Sequence, residues 1–332
     1  MKHPDNPPYA ITSPILHLVS EISAEIGRRE AHSGPGLTPA LRRSNRLRTI
    51  HASLAIENNS LSLEQVTAVV SGRRVLGPPE EIHEVKNAFA AYEAMDSWQP
   101  WRQKDLLSAH RLLMQGLING AGQFRSSGVG IAKGKHIVHI APPAARVPEL
   151  MRHLLAWLRH TDAHPLISSC VFHYELEFIH PFSDGNGRIG RLWQTLILSR
   201  WNPLLAWLPV ESVVRDRQAD YYSILASCDR IGNSTPFIEF LLSALLAALR
   251  ETQPTDQVTD QVTDQVKTLL DCLGNATLSA TEIMQRLGLS HRPTFRRNYL
   301  DPALAANLIA RTHPDNPNSR LQKYHRITST HP

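Results

Sequence analysis

The sequence predicts a mainly α protein whose helical core carries a short β-hairpin, followed by a small α+β module at the C-terminus. Three observations lead there. From Leu166 to Ile179 the apolar residues Leu166, Ile167, Cys170, Val171, Tyr174 and Phe178 fall on one side of a helix, as in a half-buried element, and Ile189 to Leu198 reads as a second helix. Lys135 to Ile140 alternates as a short strand. Beyond residue 250 the texture shifts to short apolar runs separated by turn residues.

Composition sets the outer bounds. A chain of 332 residues with 42% hydrophobic content can form two or three domains with real cores. Cys170, Cys228 and Cys272 are odd in number and far apart, which suggests neither a disulfide framework nor a zinc site and fits a reducing, cytoplasmic setting. The first residues lack an apolar secretion segment. The longest apolar helix candidate, Phe237 to Leu249, contains Glu239 and is too short to span a bilayer, so no membrane insertion is expected. A P-loop pattern is absent.

Between the two helices runs His180-Pro181-Phe182-Ser183-Asp184-Gly185-Asn186-Gly187-Arg188-Ile189-Gly190-Arg191. A neutral imidazole at His180 can take a proton near neutral pH, because its ordinary pKa of about 6.5 lies close by. Asp184 is a hard oxygen ligand, suited to a magnesium or manganese ion held mostly by substrate phosphates and water. Gly185 and Gly187 let backbone N–H groups approach an anion, and the following helix adds its positive N-terminal end. Asn186 adds a side-chain donor. Arg188 and Arg191, three apart on that helix, share a face on which two guanidinium forks could hold a polyphosphate tail. Taken alone, Asp184 to Gly187 reads more readily as a plain helix-to-helix turn; the flanking residues reverse that reading.

His-Pro-Phe-x-(Asp/Glu)-Gly-Asn-Gly-Arg-x-x-Arg is the motif of the Fic family, which this sequence resembles at every position. The resemblance implies a Fic-type helical core with a β-hairpin flap. It also implies transfer of AMP from ATP to a hydroxyl side chain of another protein. Gly122-Gln123-Phe124-Arg125, followed by Val129 and Ile131, resembles a second family segment. Lys135 to Ile140, ahead of Pro142 and Pro143, then corresponds to the flap, where Ile137, Val138 and His139 would hold the target by strand pairing. Tyr221 and Tyr222 resemble a pair used near the adenine; a packing role fits them about as well. Some relatives place an Asn seven residues after the second tyrosine, where this chain has Asp229. His173 and His180, with Glu177 between them, suggest a zinc site less readily than a packed or solvated His173 beside a His180 to which the resemblance gives another role.

Ser53-Leu54-Ala55-Ile56-Glu57-Asn58 matches the family's inhibitory pattern (Ser/Thr)-x-x-x-Glu-(Gly/Asn), and Glu81-Ile82-His83-Glu84-Val85-Lys86-Asn87 follows as in many relatives. The likeness implies that Glu57 pairs with Arg191, occupies the fork meant for the γ-phosphate and leaves ATP poorly aimed for in-line attack. Relatives often form homodimers that bear on this inhibition.

The expected organisation is an N-terminal helical segment over residues 1–100, a catalytic core over 101–250, a linker over 251–265 and a final domain over 266–332. The fourfold Thr-Asp-Gln-Val repeat from Thr255 to Val266 is too short for a solenoid and merges into the next helix. Val266 to Leu273 is apolar-periodic, Ser279 to Glu282 resembles a capping box, and Gly288 ends a short helix. A third helix from Arg292 to Ala306 and strand-like runs at Leu308 to Thr312 and Leu321 to Thr328 complete the order of a winged helix-turn-helix, which this part resembles. In that fold the helix after the turn enters the DNA major groove; Arg292, Arg296 and Arg297 lie there, with Arg320, Lys323 and Arg326 near the wing. A net charge of +5 permits nucleic-acid contact without requiring it, and protein docking remains the other option.

The resulting functional expectation is nucleotidyl transfer. His180 deprotonates a Ser, Thr or Tyr hydroxyl, Asp184 holds the metal, Gly185 to Gly187 stabilise charge on the α-phosphate, and Arg188 and Arg191 hold the β- and γ-phosphates so that pyrophosphate leaves. Alternatives are transfer of another phosphate-containing group, AMP removal with Glu57 positioning water, and a nucleotide-sensing DNA-binding regulator.

Overall fold

A computed structural model describes residues 6–33, 37–128, 130–133, 136–252, 264–274, 276–289, 291–305, 308–313, 319 and 321–327. The chain divides into two compact units, Met1–Glu251 and Thr252–Pro332. The expected boundary at residue 100 therefore separates no compact units. Leu47, Ile50 and Leu54 share one apolar cluster with Phe172, Leu176, Ile189 and Trp193.

The first unit is helical apart from one hairpin. In order it contains α1 (Ser13–Ser33), α2 (Pro39–Ile56), α3 (Leu63–Val70), α4 (Pro79–Ala94), α5 (Gln103–Met114), β1 (Gly130–Lys133) and β2 (His136–Ile140). Then follow α6 (Val147–His160), α7 (Pro165–Ile179), α8 (Asn186–Trp201), α9 (Val210–Asp216), α10 (Gln218–Ile231) and α11 (Thr235–Glu251). Local chemistry sets several starts. Thr38 caps α2, whose first residue is a proline, and Ser62 with Gln65 forms a full capping box on α3.

Helices α7 and α8 occupy the centre, and α7 is more buried than its one-sided apolar pattern predicts. Phe172, Leu176 and Ile179 pack into one cluster, while Leu166, Cys170, Val171 and Tyr174 pack into a second cluster with residues of α1 and α11. The polar residues between them are buried too, because each finds a partner inside. Ser169 Oγ donates to the Leu166 carbonyl at 3.1 Å, and His173 Nδ1 lies 2.8 Å from Gln194 Oε1. The loop after α7 thus hangs from a helix gripped on both sides.

β1 and β2 are antiparallel, with Gly130 opposite Ile140, Ile131 opposite His139, Ala132 opposite Ile137 and Lys133 opposite His136. This register makes Val138 the residue of a bulge. The expected flap positions Val129 and Lys135 lie outside the described residues.

The second unit contains α12 (Asp264–Leu273), β3 (Leu278–Ser279), α13 (Ala280–Arg286), α14 (Arg292–Phe295), α15 (Asp301–Ala305), β4 (Ile309–Arg311) and β5 (Lys323–Arg326). The strands form an antiparallel sheet in the order β3-β5-β4. Ser279 and Glu282 make the expected capping box, and Val266, Leu269, Ile283, Phe295, Ile309 and Tyr324 build the core. The third helix, expected from Arg292 to Ala306, carries a π turn at Arg296–Leu300 between α14 and α15. Of the expected linker, residues 253–263 lie outside the described residues, as do Ala306, Arg320 and Thr328. Among the described residues no helix is long and apolar enough to cross a membrane.

Candidate active site

The site begins where α7 ends. His180 closes that helix in the left-handed region, φ 50° and ψ 60°. A non-glycine residue there stores about 1–3 kcal/mol and persists only when its surroundings enforce it. Arg125 supplies the enforcement. Its Nε donates to the His180 carbonyl at 2.7 Å, and its Nη2 donates to the carbonyls of Ile179 at 3.3 Å and Pro142 at 2.5 Å. Its Nη1 reaches the Ser127 carbonyl at 2.9 Å, and its backbone N–H donates to the Pro181 carbonyl at 2.9 Å. One buried guanidinium thus ties the end of α7 to both flanks of the hairpin, and burial lowers its pKa.

The rest of the loop is fixed as closely. Asn186 accepts from Phe182 N–H at 3.0 Å and donates to the Phe182 carbonyl at 2.9 Å. Its amide therefore shapes the loop, using one of the two N–H donors expected from sequence to face an anion. His110 of α5 holds the opposite flank. Its Nδ1 accepts from Gly122 N–H at 2.9 Å, which leaves the proton on Nε2 to donate to the Asp184 carbonyl at 2.9 Å. The ring stacks on Phe182 with centroids 3.6 Å apart, and burial pushes its pKa down to about 4. Gly185, at φ 80°, could carry no side chain without striking Met114.

Arg191 and Glu57 meet as the resemblance implies. Arg191 Nη2 donates to Glu57 Oε1 at 2.8 Å and to the Ser53 carbonyl at 2.9 Å, and Nε donates to Ser53 Oγ at 3.0 Å. Burial disfavours the Arg191 charge, yet the Glu57 carboxylate and nearby Tyr221 and Glu177 hold its pKa above the ordinary value. Its Nη1 is buried without a hydrogen-bond partner among the described residues. A Cβ placed on Gly187 would collide with both Glu57 Oε1 and Arg191 Nη1. The Glu57 carboxylate and an unsatisfied donor therefore lie together over the glycine turn at the start of α8.

The turn that carries Glu57 is tied on two sides. The Ile56 carbonyl accepts from Gln218 Nε2 at 2.8 Å and from Tyr222 Oη at 3.3 Å. Asn59 Nδ2 donates to Glu84 Oε2 at 2.8 Å and to the Glu81 carbonyl at 3.2 Å. Of the candidate adenine pair, Tyr221 is 1% exposed and packs against Phe237 and Phe240, while Tyr222 is 43% exposed. Only Tyr222 offers a face to a nucleobase; Tyr221 is core, with its hydroxyl 3.2 Å from His173 Nε2. Asp229 accepts from the Tyr174 hydroxyl at 3.0 Å.

Arg188 departs from the sequence expectation. It does not join Arg191 in an open fork. Its Nη1 donates to Glu84 Oε1 at 2.5 Å and its Nη2 lies 3.1 Å from both oxygens of Asp184. Glu84 is visible in sequence only as part of a motif, and its 104-residue separation from Arg188 leaves no local signal of the contact. Asp184 remains 56% exposed. Among the described residues no cluster of three or more ligating side chains occurs. One open carboxylate still fits magnesium or manganese, which keep most of their shell as water and substrate phosphate.

At the flap, β1 and β2 form a two-stranded sheet that pairs with no third strand among the described residues. Ile137, Val138 and His139 lie on β2. In the second unit Arg292, Arg296, Lys323 and Arg326 are exposed; the side chain of Arg297 lies outside the described ones.

A strained histidine at a helix end, an anion-shaped glycine turn and a buried arginine beneath a carboxylate define a helical protein of the Fic class. Comparison with known proteins agrees. Residues 100–198 match the Fic/DOC family, and residues 264–328 match the C-terminal domain of Filamentation induced by cAMP protein Fic-like. A crystal structure of a Fic family protein from Desulfovibrio desulfuricans G20 is 58% identical, covers 98% of this chain and 99% of its own, and superposes with a TM-score of 0.73. This chain belongs to the Fic family. Fic-1 from C. elegans, 24% identical over 74% of each chain with a TM-score of 0.59, shares the fold. Protein adenylyltransferase Fic of Aedes aegypti is 30% identical over 61% of this chain, and that of Nematostella vectensis is 30% identical over 58%. The chain spans only 41% and 45% of those two relatives.

Proposed function

We propose that the chain is a protein adenylyltransferase, held in an inhibited state by Glu57. The observation that carries this reading is the unsatisfied Arg191 Nη1 over Gly187, with the Glu57 carboxylate beside it. A buried guanidinium donor is costly to leave unpaired, and a phosphate oxygen would satisfy it. A carboxylate in that place mimics the phosphate and excludes it. ATP as the AMP donor is supported by the name of the relatives, protein adenylyltransferase.

In the open state the target strand adds to the edge of the flap and brings its Ser, Thr or Tyr hydroxyl to His180. His180 takes the hydroxyl proton as the oxygen attacks the α-phosphorus. The bond to the β-phosphate breaks, and pyrophosphate departs. Backbone N–H groups of Gly185 to Gly187 and the N-terminal end of α8 stabilise the charge that builds on the α-phosphate. Arg191 holds the far end of the polyphosphate, so the α-phosphorus stays in line with the nucleophile. Magnesium or manganese held at Asp184 would supply charge neutralisation on the phosphates.

The test uses ATP labelled at either the α- or the γ-phosphate, incubated with lysate and with wild type or Glu57→Gly. Transfer of the α-label alone, greater in Glu57→Gly, is the expected result. Transfer of the γ-label would make the chain a phosphotransferase, and no transfer with either label would end the reading.

The exposed basic residues of α14, the π turn and β5 favour a second role, contact with duplex DNA through the C-terminal unit. The full chain should then bind duplex with an affinity that falls as salt rises, each neutralised phosphate contributing about −0.9 to the log-log slope. Arg292→Ala with Arg296→Ala should reduce affinity and slope together. Equal affinity at low and high salt, or none at either, would leave protein docking as the role of this unit.

A further inference from the structure

We propose that Glu84 is a positioning residue that keeps Asp184 available to a divalent cation by taking up part of the charge of Arg188. The inference rests on the reading of Asp184 as the metal ligand of a nucleotide site. Arg188 is 7% exposed and cannot shed its proton, so its charge must be balanced by whatever acids it touches. It touches two. Nη1 meets Glu84 and Nη2 meets both oxygens of Asp184.

Charge accounting gives the consequence. Two carboxylates around one guanidinium leave a net charge of about −1, and the exposed member of the pair is Asp184. An arriving cation therefore meets an anionic group with one side open to solvent. Without the Glu84 charge, Arg188 and Asp184 would cancel, and the cation would have to break a neutral ion pair. Glu84 is itself oriented for this task. Its second oxygen accepts from Asn59 Nδ2 at 2.8 Å, and Asn59 is buried, with its own Oδ1 accepting from Leu61 N–H at 3.1 Å. A line of contacts thus runs from the turn that carries Glu57, through Asn59, Glu84 and Arg188, to Asp184.

The decisive variants are Glu84→Gln, which keeps shape and hydrogen bonding but removes charge, and Glu84→Ala. Melting temperature establishes that each is folded. Binding of ATP is then measured with chelator present and across a manganese titration, with bound manganese followed by electron paramagnetic resonance. Both variants should need about tenfold more manganese for half-maximal metal-dependent binding, the usual scale for loss of a partner that orients a ligand. ATP binding in chelator should change little, because Arg191 and the glycine turn are untouched. A wild-type manganese requirement in folded Glu84→Gln would overturn the proposal, whatever Glu84→Ala does. If the wild-type chain binds ATP with no metal dependence, the metal reading of Asp184 itself fails and Glu84 loses its role with it.

Discussion

The loop from His180 to Arg191 and the turn from Glu57 to Ser60 face each other across the same cradle, yet they are held in different ways. The loop is fixed from within the core. Its backbone is bonded to the buried side chains of Arg125, His110 and Asn186, and Phe182 is sealed under the His110 ring. The turn is held largely at its surface, with Asn59 its one buried residue. Asn58 adopts φ 70° and is exposed, and Glu57, Gln218 and Tyr222 all reach solvent. Groups proposed to share the chemistry sit where packing prevents movement, while the carboxylate proposed to block it sits where a few replaceable bonds hold it. Inhibition of this kind can be lifted without disturbing the groups that react.

The largest effect should fall on the loop. His180→Ala is expected to lower transfer by about 10²- to 10⁴-fold, the usual cost of losing a general base, while ATP binding measured by calorimetry stays near wild type. Comparable labelling in the variant would remove His180 from the chemistry.

A smaller effect tests how firmly the loop is held. His110 has a folded pKa of about 4, below its ordinary 6.5, so the unfolded chain binds more protons between those values. Stability from this group is present above about pH 6.5 and is lost as pH falls toward 4, by at most about 1.4 kcal/mol per pH unit. Denaturant midpoints across that window should show a shallower pH dependence in His110→Gln than in wild type. An identical slope would mean that the ring is not held neutral between Gly122 and Asp184.

The same contrast governs which features are legible in the amino-acid sequence. The catalytic loop is contiguous, so its residue types and glycine spacing lie in one line of sequence, and Ser53 with Glu57 forms a second local pattern. The capping box at Ser279 and the hairpin ahead of Pro142 are local too. Contacts across the chain are not legible. Nothing near Arg188 points to Glu84, and nothing in α5 marks His110 as the clamp on Asp184. The apolar stripe of α7 gives no hint of its second buried side, because Ser169 is a small polar residue and His173 reads as either packed or solvated until their partners are seen. Tyr221 and Tyr222 are adjacent and alike in sequence; only packing separates a core tyrosine from an exposed one.

The central claim is that Glu57 inhibits by occupying Arg191, and a double-mutant comparison of AMP incorporation tests it most directly. Glu57→Gly should raise labelling of the chain itself or of lysate proteins above wild type, and adding Arg191→Ala should abolish that rise, because the freed guanidinium is what the phosphate needs. Equal labelling in wild type and Glu57→Gly, or a rise that survives Arg191→Ala, would contradict the account.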